Sequence, residues 1–344
     1  MTTWAPDLLG DGYEQLTIPL GTDPDGEGDV LATLVRYRPE HAPGTRRAVL
    51  YVHGFTDYFF QKHLAEHFHE QGYAFYALDL RKCGRSLRAG QTPHFVTDLS
   101  FYDAELDRAL TIVREDVGGG PSGAGGTSWG PGEGSVLLTA HSTGGLILPL
   151  WLDRLNARPG GSAGAGVRGL ILNSPWFDLQ GPSYLRSVGT VAVDAVGRVK
   201  EKLVIKQPPA DVYGRTLHRD HGGEWDYDLD WKPLTGFPVT FGWMRAIRRG
   251  HARLHRGLDI GVPSLILRSK TTHYSMRHTE KSEVADLILD VTQIAKWSGC
   301  LGDRTTIVPI EGARHDVFLS REVPRKQAFD EVDQWLGWLN GHSA

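Results

Sequence analysis

Cysteine is scarce in this chain, with only Cys83 and Cys300 among 344 residues. Two thiols cannot build a disulfide scaffold or a four-cysteine zinc site. An excess of charge of one sign is also lacking: 37 Lys and Arg against 41 Asp and Glu leave a formal net charge of −4. Bulk electrostatics therefore point to neither nucleic acid nor an anionic membrane as partner. Long apolar runs are absent too. The most apolar stretch beside any motif, Gly145 to Leu152, falls far short of the roughly 20 residues of a membrane span. The opening residues, Met1 to Asp7, lack the basic and apolar regions of a secretory leader. These absences set the expectation of a soluble, cytoplasmic protein without a stable membrane anchor.

Glycine, by contrast, is plentiful: 42 residues, about 12% against a usual ~7%. Nine fall in Gly118 to Gly134 and four more between 159 and 166, so 13 of the 42 occupy 25 residues that read as surface loop. The first stretch has no Gly-Lys-Ser/Thr ending, which argues against a phosphate cradle. Hydrophobic residues at 40% and charged residues at 23% are those of an ordinary globular protein.

Strand and helix patterns alternate along most of the chain. Short apolar runs predict strands at 48–52, 73–80, 136–140, 169–172, 263–267 and 305–310, after an opening pair at 14–20 and 30–37. Helical spacing predicts helices over 59–71, 101–115, 145–155, 291–297 and 325–339. Near-continuous apolar strands between helices imply a mostly parallel sheet covered on both faces. Phe177 to Ile260 breaks the alternation, with helix-like pieces at 191–204 and 243–255. An insertion that long between strands reads as a cap subdomain over 179–259, leaving 1–178 and 260–344 as the core.

Three segments carry chemistry. Val136 to Gly145 runs strand into Ala140-His141-Ser142-Thr143-Gly144 and then helix, the setting of a nucleophile elbow. Small residues two before and two after the serine are required sterically, and Ala140 stands where glycine is commoner. The bland alternative is a serine that only caps the helix. Tyr51-Val52-His53-Gly54-Phe55 follows the central strand, where a sharp turn can aim the Phe55 N–H at an oxyanion, with the Thr143 N–H as second donor. His53 reads as bonding within that turn. His315 lies after the last strand, in Ile310 to Asp316, where a loop can bring a general base to the serine. The order serine, acid, histidine fits such a sheet. The acid is less clear, because no carboxylate directly follows the 263–267 strand. Asp286 is favoured, with Lys270 to Val284 read as an extra loop that displaces it along the chain but not in space; Asp290 and Asp178 are the alternatives.

With these residues in place, the sequence resembles a serine hydrolase of the α/β-hydrolase superfamily, in the monoacylglycerol-lipase and serine-aminopeptidase-like group. The resemblance rests on His53-Gly54-Phe55, the turn Asp79 to Ser86, Ala140 to Gly144, the pair Asp286 and Asp290, and His315. It implies an α/β-hydrolase fold with an inserted cap. It also implies a Ser142-Asp286-His315 triad working through an acyl-enzyme, Phe55 and Thr143 as oxyanion donors, no cofactor and no metal. The substrate would be a small acyl ester. An aminopeptidase or amidase is the alternative, and a non-catalytic binding protein on the same scaffold is disfavoured by the intact serine and histidine.

Several other features have blander readings. His63-Leu64-Ala65-Glu66-His67 matches an inverted zinc-protease pattern, but reads as a solvated helix. The arginines at 245, 248, 249, 253 and 256 read as the solvated face of a cap helix. Trp225, Tyr227 and Trp231 read as cap core, and Cys83 as an ordinary turn residue.

Overall fold

The computed structural model describes residues 3–39, 45–118, 134–181, 183–206, 208 and 210–342, with 183–188 described by their backbone alone. Most of the glycine-rich stretch 118–134 therefore lies outside the described residues. Nine strands form one sheet: β1 (Ala5–Pro6), β2 (Tyr13–Thr22), β3 (Asp29–Tyr37), β4 (Arg47–Val52), β5 (Ala74–Asp79), β6 (Ser135–His141), β7 (Val167–Asn173), β8 (Ser264–Ser269) and β9 (Thr305–Ile310). Their spatial order is β1-β2-β3-β5-β4-β6-β7-β8-β9. The β1-β2-β3 edge runs antiparallel and meets β5 antiparallel; from β5 to β9 every pairing is parallel. This is the α/β-hydrolase fold.

Residue alternation along the buried strands divides the interior into two cores. Ala48, Leu50 and Val52 of β4 and Leu138 and Ala140 of β6 face one side, together with α2 (Asp103–Gly118) and α3 (Gly144–Asn156). Val49 and Tyr51 of β4 and Leu137 of β6 face the other, against α1 (Lys62–Glu70) and α9 (Glu322–Gly341). Both faces are apolar, which is why these strands read as continuous hydrophobic runs. Helix α8 (Val291–Trp297) sits between β8 and β9 in the chain.

The order in which the chain adds strands to the sheet reverses at β4, which lies between β5 and β6 although it precedes both. Loops leaving the C-terminal ends of β4 and β6 consequently diverge and open a crevice between them, where open α/β sheets bind ligands. Between β7 and β8 the described chain adds no strand to the sheet and carries α5 (Ser183–Gly197), α6 (Val212–Leu217) and α7 (Phe241–Leu254). The predicted helix over 191–204 in fact lies earlier, as α5. Within the predicted loop at 159–166, one helical turn forms, α4 (Gly161–Gly164).

Candidate active site

Ser142 follows the last residue of β6 with φ at +52°, a left-handed conformation that a non-glycine residue rarely adopts. Its N–H donates to the Asn173 carbonyl (3.0 Å), while its own carbonyl accepts from Gly145 (2.9 Å) and Trp176 (3.0 Å). The turn is tight on every side. A methyl at Gly144 would lie 2.5 Å from the His53 carbonyl oxygen, and one at Gly54 would lie 2.9 Å from the Ser142 Cβ. Ala140 is fully buried, so its single methyl fits where a larger side chain would clash.

Three elements converge on this serine. His315, in the loop after β9, places Nε2 3.0 Å from Ser142 Oγ and Nδ1 2.9 Å from Asp286 Oδ2. Asp286 is buried, and its other oxygen accepts the N–H groups of Ile288 and Leu289, both at 2.8 Å. With the carboxylate accepting at Nδ1, the imidazole donates there and presents Nε2 as acceptor to the serine hydroxyl. Asp286 reaches this position because its backbone pairs with the segment just past β8: its N–H donates to the Thr271 carbonyl, and the His273 N–H donates to its own carbonyl, both at 2.9 Å. Residues 274–284 are thus an excursion that leaves and returns to the end of β8. Glu283 ties that excursion back, accepting from Arg314, the neighbour of His315, and from Arg321.

Asp290 and Asp178 go elsewhere. Asp290 caps α8 by accepting from Thr292 (3.0 Å), and Asp178 accepts from Arg248 of α7 (2.7 Å). The His315 loop is held against β7 by Asn173, which donates to Asp316 (2.6 Å) and accepts the Val317 N–H (3.0 Å).

On the β4 side, His53 Nδ1 donates to the Gly54 carbonyl (2.7 Å) and its Nε2 accepts the Leu80 N–H (3.1 Å), so it stitches the turn together. Among the described residues, the N–H groups of Phe55 and Thr143 have no acceptor. The Phe55 ring packs on Trp243 of α7, 4.1 Å between centroids.

Several residues around the site carry no recognisable sequence signal. Asp57 is buried and bonded to both His141 Nδ1 (3.2 Å) and Lys232 Nζ (2.8 Å). Burial alone would raise the Asp57 carboxyl, but Lys232 and His141 hold it well below the usual carboxylate range. The His141 ring lies 4.8 Å from that of His315, and Tyr213 of α6 meets the same imidazole edge-on at 5.6 Å. His94 lies against Phe55 and 3.2 Å from the Cys83 sulfur, and burial pushes that thiol well above its ordinary range, away from nucleophilic use.

The blander motifs also acquire partners. His63 bonds to the Phe318 carbonyl (3.0 Å) and His67 to Asp333 (2.9 Å), so both pin α1 to the C-terminal part of the chain. The α7 arginines are not merely a solvated face: 245, 248, 249 and 253 pair with Asp194, Asp178, Asp98 and Asp153. Among the described residues, no group of three or more His, Cys, Asp and Glu is arranged to hold a metal, and no helix is long and apolar enough to cross a membrane.

Known proteins resemble the chain along most of its length. Residues 43–319 match the family described as serine aminopeptidase, S33, which spans the elbow, the β4 turn, Asp286 and His315. The chain belongs to that family. Solved structures share the fold at low identity. A soluble variant of monoglyceride lipase from Saccharomyces cerevisiae is 16% identical, with a TM-score of 0.61 covering 100% of this chain and 95% of that one. The monoacylglycerol lipase of Paleococcus ferrophilus is 17% identical, with a TM-score of 0.56 over 95% and 99%. A thermostable carboxyl esterase of Bacillus coagulans is 14% identical, with a TM-score of 0.63 over 96% and 99%. No curated protein matches the sequence.

Proposed function

We propose that this α/β hydrolase is a serine hydrolase that cleaves carboxylic esters, with Ser142 as nucleophile, His315 as general base and Asp286 as the orienting acid. The observation that carries the reading is the continuous chain Asp286–His315–Ser142, with links of 2.9 and 3.0 Å between buried groups. Serine alone is a weak nucleophile; an adjacent base that removes its proton as the bond forms makes it effective. Asp286 holds the imidazole in the tautomer that accepts this proton and stabilises the cation that results. The unpartnered N–H groups of Phe55 and Thr143 support an oxyanion site for the tetrahedral intermediate. His315 then gives its proton to the leaving alcohol oxygen, producing an acyl-Ser142. Water deprotonated by the same imidazole attacks that acyl group, and the acid departs as Ser142 regains its proton.

In this reading residues 179–259 act as a cap, since they bring Tyr213 to His315 and Trp243 to Phe55. The lipase and esterase neighbours favour a small acyl ester as substrate, and the proposed reaction calls for no cofactor, metal or nucleic acid. Peptide-bond cleavage is the second reading, and the family's aminopeptidase description favours it.

A fluorophosphonate probe is expected to label Ser142, and Ser142→Ala to lose both labelling and ester hydrolysis. Labelling at another residue, or full activity in the alanine variant, would overturn the mechanism. Nitrophenyl esters of graded chain length, assayed beside aminoacyl anilides, separate the two substrate readings: turnover of the anilides alone would sink the esterase.

A further inference from the structure

One buried cation near the site has no part in the triad. Lys232 lies in the segment between β7 and β8, 175 residues along the chain from its partner Asp57, and only 7% of it is exposed. Its ammonium donates to Asp57 Oδ1 (2.8 Å) and to the Thr56 carbonyl (3.4 Å), and it sits 5.8 Å from the ring centres of Phe60 and Tyr227. These contacts grip the turn that directly follows Phe55. That turn is strained: Thr56 is β-branched, yet its φ is +52°, a genuine outlier for such a residue. The same inserted segment supplies a second hold, because the Phe237 N–H donates to Thr56 Oγ1 (2.9 Å). A third lies two residues further on, where the Asp228 N–H donates to the Tyr58 hydroxyl (2.7 Å). On its far oxygen, Asp57 accepts from His141, the residue before Ser142. A single buried ion pair therefore joins the inserted segment, the β4 turn and the elbow.

We infer that Lys232 is a positioning residue for ester hydrolysis: through Asp57 and the Thr56 carbonyl it holds the strained turn so that the Phe55 N–H meets the developing oxyanion. This rests on the Ser142 reading above, with Phe55 as oxyanion donor. The inserted segment then completes the catalytic geometry as well as covering the site. A displacement of the donor by about 1 Å is enough to lower turnover about 10²-fold, and it does so in the transition state, where the oxygen carries charge. The ground-state carbonyl is affected much less.

The test begins with wild-type protein and the fluorophosphonate probe; failure to label Ser142 counts against the serine-hydrolase reading itself. With labelling in hand, Lys232→Met is expected to lower kcat about 10- to 100-fold with KM changed less than about twofold. Affinity for a trifluoromethyl ketone, which forms a tetrahedral adduct with the serine, should fall by the same factor as kcat. Because Lys232→Met leaves Asp57 buried without its cation, the double variant Asp57→Asn/Lys232→Met, which removes both charges, guards against simple unfolding. The double variant is expected to keep a cooperative thermal transition and to show the same loss of kcat. Wild-type kcat in the double variant would mean that Lys232 only neutralises a buried charge, and would overturn the inference. So would a folded Lys232→Met protein with raised KM and unchanged kcat.

Discussion

Ser142 shows how one residue's backbone conformation depends on its neighbours lacking side chains. Its positive φ turns the chain sharply at the end of β6, and the close approach of the β4 loop leaves no room at Gly144. Because the atoms that a methyl would meet there are backbone oxygens of Val52 and His53, they cannot swing away. Gly144→Ala is therefore expected to lower stability by about 1–3 kcal/mol, read as a lower thermal midpoint, and to lower turnover with it. Carboxylate variants separate roles at the same scale. Asp286→Asn keeps the shape of the site but loses the acceptor that fixes the His315 tautomer, so kcat is expected to fall by about 10³- to 10⁴-fold. Asp178→Asn, which faces Arg248, is expected to leave kcat within a few-fold. Equal losses from the two variants would remove Asp286 from its proposed role.

Among the elements, the excursion between β8 and α8 solves a geometric problem. It carries the chain away for 11 residues, 274–284, and returns it so that Asp286 still pairs beside Thr271 and His273. Glu283 makes that return firm by bonding to the fully buried Arg314 and to Arg321. Glu283→Gln leaves the Arg314 guanidinium without its anion, at an expected loss of about 1–3 kcal/mol. Chemical denaturation of the variant should show a lower midpoint with unchanged slope; an unchanged midpoint would contradict the staple. Helix α7 follows a similar logic. Its arginines reach Asp98, Asp153, Asp178 and, on α5, Asp194, which fastens the helix that carries Trp243 against Phe55.

At the scale of the whole molecule, several buried or half-buried histidines are held in neutral form. Burial lowers His63 to about 4, and burial followed by the Arg248 charge lowers His251 to about 3; burial also pushes His94 well below its ordinary value. In the unfolded chain each of these groups titrates near 6.5. Below that pH the unfolded state binds protons that the folded state refuses, so stability falls as pH drops from about 6.5 towards 4 and is independent of these groups above about 7.5. Thermal midpoints measured across pH 4 to 8 should show this fall. His63→Phe, which keeps the stack on Trp225, should flatten it; an equally steep profile in that variant would contradict the assignment.

The local signals in the sequence are strong wherever a strand runs into a turn of the candidate site. Ala140 to Gly144, His53 to Phe55 and His315 each follow the C-terminal end of an apolar strand, and steric demand limits what such turns can hold. Short apolar runs and helical spacing also identified the β4 to β9 framework with its flanking helices. Helix α5 was misplaced because its first turns mix Ser, Arg and Gly without a clear period. Asp57, Lys232, His94 and Tyr213 left no signal at all, since each acts through a partner that the chain brings close only after long separation. The amino-acid order by itself determined the fold class and the turns that carry Ser142, Phe55 and His315, because backbone sterics and apolar periodicity act over a few residues. Only the tertiary structure decided which aspartate meets His315 and which lysine meets Asp57, because hydrogen bonds and buried ion pairs depend on distances that folding alone creates.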